Sequence, residues 1–92
     1  MTTVVHCKRD EFDVYIGRAC PGHAESKWAN PFRIGRDGTR VEVIEKYQHW
    51  IVTQVDLVAC LGELKNKRLG CWCHPKECHG DFLAALVDTL IS

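Results

Sequence analysis

Hydrophobic residues fall into two periods along this chain, and the switch between them sketches the fold. Thr3–Cys7 (Thr-Val-Val-His-Cys) and Val14-Tyr15-Ile16 are short β-branched and aromatic runs, which predicts two strands, the second closed by Gly17. A mostly polar, turn-like stretch, Lys8–Asp13, separates them, so the pair reads as a hairpin. No period appears between Arg18 and Phe32, a stretch broken by Pro21, Gly22 and Pro31, which predicts one long loop. Gly35-Arg36-Asp37-Gly38 is turn chemistry.

Helical spacing begins after Thr39. Thr39 and Glu42 stand at capping-box separation, and Val43, Ile44, Tyr47, Trp50 and Ile51 then recur at three- and four-residue steps. This predicts a helix to about Gln54. A second helical stretch, Val55–Leu64, is interrupted at Gly62. Arg68–Cys73 (Arg-Leu-Gly-Cys-Trp-Cys) reads as a third strand and His74–Glu77 as a tight loop. A final helix from Cys78 to about Ile91 carries Phe82, Leu83, Leu86, Val87 and Leu90 as its apolar stripe. The order predicts a small single α/β domain over residues 1–92, with a short three- to four-stranded sheet packed with about three helices.

Composition narrows the function classes. Twelve Lys+Arg balance twelve Asp+Glu, which argues against a broadly basic nucleic-acid binder. The balance is uneven, however: residues 18–40 hold five cations and two acids, and residues 41–64 one cation and four acids. The long loop is therefore locally basic and suits an anionic ligand. No apolar run approaches a membrane span, and the N-terminus lacks a signal-peptide layout. The six cysteines are then expected as reduced thiols in a cytoplasm rather than as a disulfide framework. So small a core is compatible with a homodimer but does not demand one.

Three of the six cysteines crowd into Cys71-Trp-Cys73-His-Pro-Lys-Glu-Cys78-His79-Gly80-Asp81, where a strand's C-terminal end meets a helix N-terminus. Ligands of open α/β sheets bind at that edge, and first-turn N–H groups favour anions. Three readings of the segment stand side by side. In the first, Cys78 is a nucleophile or pocket thiol, His79 an acid/base oriented by Asp81, and Gly80 a point of close ligand approach. In the second, Cys71, Cys73 and Cys78 with His79 or His74 hold zinc, although the spacing is not that of common zinc fingers. In the third, the cysteines are packing residues. In the loop, Arg18 and Lys27 suit a phosphate, Trp28 or Phe32 a stacked ring, and Asn30 a base edge. Against this stands a structural reading in which the aromatics cap the core and Asn30-Pro31 makes a turn.

Asp13-Val-Tyr-Ile-Gly-Arg18, Trp28-Ala-Asn-Pro-Phe-Arg33 and Leu69-Gly-Cys-Trp-Cys-His-Pro-Lys-Glu-Cys-His-Gly-Asp81 together resemble a family frequent in bacteriophages and bacteria, filed as domain of unknown function 4326. The chain departs from the usual pattern at Ala19–Glu25 and at Ala29. The resemblance implies a fold and a site rather than a reaction, and a host-cell cytoplasm for a phage-encoded member. The sequence reading is a nucleotide- or nucleic-acid-directed binding protein, or a hydrolase of glycosidic or phosphate linkages, with no cofactor. The alternatives are a zinc-stabilised binding module without catalysis and a phage accessory protein that binds a host protein.

Overall fold

The computed structural model of the protein describes residues 1–91. Its central strand is the last one in the sequence. Strand β3 (Arg68–Cys71) lies between β1 (Thr3–His6) and β2 (Val14–Tyr15), and both pairings are parallel. The expected β1–β2 hairpin is therefore absent: the two strands never pair but flank β3. Residues 7–13 carry the chain back across one face of the sheet to start β2 in the same direction. Gly70 permits that crossing, because a Cβ there would sit 2.6 Å from the Phe12 ring.

The other face of the sheet takes the helices. Helix α1 (Arg40–Ile51) begins with the expected capping box: Glu42 N–H donates to Thr39 Oγ1 and Thr39 N–H to the Glu42 carboxylate. It ends three residues before Gln54, and Val43, Tyr47 and Ile51 are its buried face. The interrupted stretch resolves into a short helix α2 (Val55–Ala59) and a 3₁₀ turn (Leu61–Leu64) whose two leucines are buried. Helix α3 (His79–Leu90) packs against β1, β3 and α1, burying Leu83, Ala84 and Val87; Phe82 and Leu86 are half-buried and Leu90 is exposed. Strand alternation then divides β3. Leu69 and Cys71 enter the core with Ile16, Trp28, Tyr47, Ile51 and Leu83, while Gly70 faces Phe12. No helix among the described residues is long and apolar enough to cross a membrane.

Candidate functional site

The long loop and the β3–α3 junction meet. A cleft of about 500 Å³ opens at the C-terminal edge of the sheet, walled by residues 17–20 and 30–34 of the loop, the first turn of α1, and residues 71–73 and 77–79. Among the predicted site residues, Arg18, Asn30, Phe32, Cys78 and His79 line it, together with Cys71 and Cys73.

Each of these side chains has a definite job in holding the cleft. Arg18 Nη2 donates to the carbonyls of Asn30 (3.0 Å) and Phe32 (2.8 Å), pinning the two ends of the loop together. Among the described residues its Nε and Nη1 have no hydrogen-bond partner. Asn30 is 8% exposed, and its amide is spent inside the protein: Nδ2 donates to Val43 O and Oδ1 accepts from Phe32 N–H. It shapes the cleft wall, and the expected role of reading a base edge does not fit that bonding. Phe32 is half-buried with its ring at the wall.

Three other predictions need correction. Trp28 is 2% exposed and belongs to the core, where its carbonyl accepts from Tyr47 Oη; it offers no stacking face. Lys27 lies outside the cleft and pairs with Glu63 at 3.0 Å. Gly80 is buried against core rather than ligand, since a Cβ there would meet Ile16 Cδ1 at 2.7 Å.

The proposed Cys78–His79–Asp81 unit also comes apart. Asp81 accepts from Cys78 N–H while Cys78 Sγ accepts from Gly80 N–H, a capping box with a thiol in the place of the usual hydroxyl. The carboxylate therefore holds the helix end and does not orient His79. His79 Nε2 donates to Ile16 O at 2.8 Å, which fixes the neutral tautomer with its lone pair on Nδ1. Burial (8% exposed, with the Tyr47 ring 4.8 Å away) pushes its pKa down to about 4, so it stays uncharged near neutrality. No buried side-chain nitrogen or oxygen among the described residues lacks a partner, so the unpaired Nδ1 reaches solvent in the cleft.

The thiols form a cluster. Cys71 Sγ and Cys78 Sγ are 3.1 Å apart, and Cys73, half-buried, lines the same cleft as both. Sharing with Cys78 favours the thiolate at the other two: Cys71 falls to about 7, and Cys73, which also faces the Arg40 guanidinium, to about 5. Cys78 is pushed the opposite way, by its thiol neighbours Cys71 and Cys73 and by burial, and keeps its proton. Although the thiols converge, no three His, Cys, Asp or Glu side chains among the described residues are arranged around a common metal position.

Two site residues escape the sequence reading. Arg40 lines the cleft from the first turn of α1 and donates from Nη1 to Glu77 O. A cation at the positive end of a helix dipole breaks a local rule, and that was its available signal. Trp72 also lines the cleft and is 44% exposed, but its indole lies among residues outside it, with Nε1 donating to Tyr15 Oη, His6 edge-on at 5.9 Å and Lys8 Nζ 5.4 Å over the ring. Standing between two inward cysteines, it had to point away from them. Cys20-Pro-Gly-His23 is a turn: Cys20 and His23 exchange backbone hydrogen bonds around Gly22 at φ +90°, and His23 stacks on Tyr15.

The charge pattern now has a physical form. Of the five cations in residues 18–40, Lys27 pairs with Glu63 and Arg36 with Asp37. The other three, Arg18, Arg33 and Arg40, line the cleft, and among the described residues none has a carboxylate partner. Glu77 is the one acid among the described lining residues.

Relatives carry the same stretch of sequence. An "Uncharacterized protein R718" of Acanthamoeba polyphaga mimivirus is 48% identical over 65 residues, covering 66% of this chain and 49% of the relative, so the chain spans about half of that protein's length. An "Uncharacterized 12.4 kDa protein in nrdA-td intergenic region" of Enterobacteria phage T4 is 35% identical over 92 residues, covering 95% of this chain and 78% of the relative. No solved structure matches. The model of one family matches residues 4–89, nearly the whole described fold, and the chain thus belongs to the family described as Domain of unknown function (DUF4326).

Proposed function

We propose that this chain binds a small phosphorylated ligand of the nucleotide class in the cleft at the β3–α3 junction. One observation carries the reading: three guanidiniums without carboxylate partners among the described residues line a 500 Å³ cleft whose wall also holds the Phe32 ring. Guanidiniums suit phosphate oxygens through paired N–H donors, and the volume falls in the usual range for small-molecule pockets. Phe32, in the wall, supplies a ring face on which a base stacks. His79 Nδ1 adds a neutral hydrogen-bond acceptor.

The same geometry favours binding over hydrolysis. Asp81 is committed to the helix cap, Cys78 is held as a thiol, and His79 is neutral with Nε2 tied to a carbonyl. Calorimetric titration with nucleoside monophosphates and diphosphates, the parent nucleosides and inorganic phosphate tests the reading. The phosphorylated nucleosides bind tightest, their affinity falls with added salt, and Arg40→Ala weakens them by about tenfold, the scale of one charge-assisted hydrogen bond. Equal binding of nucleosides and nucleotides, or no effect of Arg40→Ala, overturns it.

A further inference from the structure

Nucleotide binding leaves the three thiols without a task. We propose that they form a peroxide-reactive redox centre in which Cys73 is oxidised first and hands the oxidation to the Cys71–Cys78 pair. The placement supports a division of labour. Cys73 is half-buried and lines the open cleft, whereas Cys71 and Cys78 are buried with their sulfurs 3.1 Å apart. Arg40 and Arg18 line the same cleft as Cys73, and their positive charge adds to the effect of Cys78 in favouring the Cys73 thiolate, while Cys78 retains the proton.

The chemistry closes. The Cys73 thiolate attacks one oxygen of a hydroperoxide, breaking the O–O bond; sulfur is oxidised to the sulfenic acid and the other oxygen leaves as alkoxide or hydroxide, taking up a proton. Cys78 sulfur then displaces hydroxide from Cys73, losing its own proton and releasing water, and a Cys73–Cys78 disulfide results. Attack by the Cys71 thiolate on Cys78 transfers the bond to the Cys71–Cys78 pair and frees Cys73 as thiolate. A small-molecule dithiol returns the centre to its starting state.

The test treats the reduced full chain, free of nucleotide, with hydrogen peroxide and follows intact mass and disulfide mapping. The expected product has lost two hydrogens, with the disulfide at Cys71–Cys78. Cys73→Ser slows its formation at least about tenfold, Cys71→Ser stops the process at Cys73–Cys78, and Cys78→Ser leaves a sulfenic acid captured by dimedone. Limited alkylation of the unmutated chain needs no variant to fold, and it labels Cys73 before the other five cysteines. Oxidation at the same rate without Cys73, alkylation that starts elsewhere, or protein that purifies with stoichiometric zinc on the three thiols overturns the proposal. Because nucleotide is absent throughout, either outcome leaves the binding reading where it stood.

Discussion

The two ends of β3 share a strand but not a charge economy. At its N-terminal end polar groups close on one another. Thr2 N–H and Oγ1 both donate to the Asp88 carboxylate, Lys65 reaches the same carboxylate at 3.2 Å, and Asp13 takes Arg68 through both backbone and side chain. At the C-terminal end Arg18, Arg33 and Arg40 have no carboxylate partner among the described residues, and they share the cleft with three thiols. Closed pairs hold a fold together; cations left open over a cleft keep their interaction energy for something that arrives. Parallel strands make the distinction directional, since ligands collect at the carboxyl ends.

The sharpest way to break this contrast is to damage what lies under the cleft without touching its open charges. Trp28→Ala removes a buried side chain that the loop motif presents as a ligand contact. It is expected to cost about 3–5 kcal/mol in urea denaturation, much of the roughly 5–15 kcal/mol that a small domain has. A mutant of unchanged stability and lost nucleotide binding would put Trp28 back in the site.

His79 extends the contrast to pH. Its pKa is about 4 folded and about 6.5 unfolded, so the unfolded chain binds the extra proton between those values. The stability contributed by its neutral form is complete above about 6.5 and falls by up to about 1.4 kcal/mol per unit as pH drops toward the folded value. The capping and paired carboxylates Asp13, Glu42, Glu63 and Asp88, all held below their ordinary values by hydrogen bonds, lose their contributions only as pH falls lower still. Urea midpoints from pH 7 to 4.5 therefore decline in the native chain and flatten in His79→Gln, which retains a donor for Ile16 O. Parallel declines would remove His79 as their cause. A smaller effect is expected from Gly80→Ala, whose methyl meets Ile16: about 1–3 kcal/mol of destabilisation, with nucleotide affinity in the folded fraction unchanged.

How much of this was legible in the residues depends on whether a local rule carried it. Thr39–Glu42 spacing marks the start of α1, and the run from Arg68 marks β3, which ends at Cys71, two residues short of the expected Cys73. Arg18 and Phe32 converge with the Cys-His segment in one cleft, which no local rule dictates. Parallel and antiparallel pairing look alike in a four-residue run, so β1 and β2 read as a hairpin, although Gly70 inside an apolar strand already signalled a close backbone approach. Trp28 and Phe32, four residues apart in one motif, divide between core and cleft because the loop turns between them. The Asn30 side chain builds that turn by binding Phe32 N–H and Val43 O. Asp81 looked like a partner for its neighbour but was taken by the cap.

The finest division runs through that same loop, between two cations six residues apart. Lys27 and Arg33 carry equal charge, and both project from the segment that the sequence marks as basic. Lys27 is closed by Glu63, whereas Arg33 lines the cleft with no carboxylate partner among the described residues. Each alanine substitution removes one positive charge, so long-range attraction for an anion changes alike, and only local contact separates the two. Arg33→Ala is expected to weaken nucleoside-phosphate binding by up to about tenfold, short of the full worth of a buried charged hydrogen bond because the side chain is exposed, and to leave the melting temperature in place. Lys27→Ala is expected to leave affinity in place after salt correction and to lower the melting temperature slightly by freeing Glu63. Calorimetry and thermal melts on the same two proteins decide the matter. If both variants lose affinity equally, the loop acts as a diffuse basic surface; if only Arg33→Ala does, the open guanidiniums of the cleft make specific contacts with the phosphate.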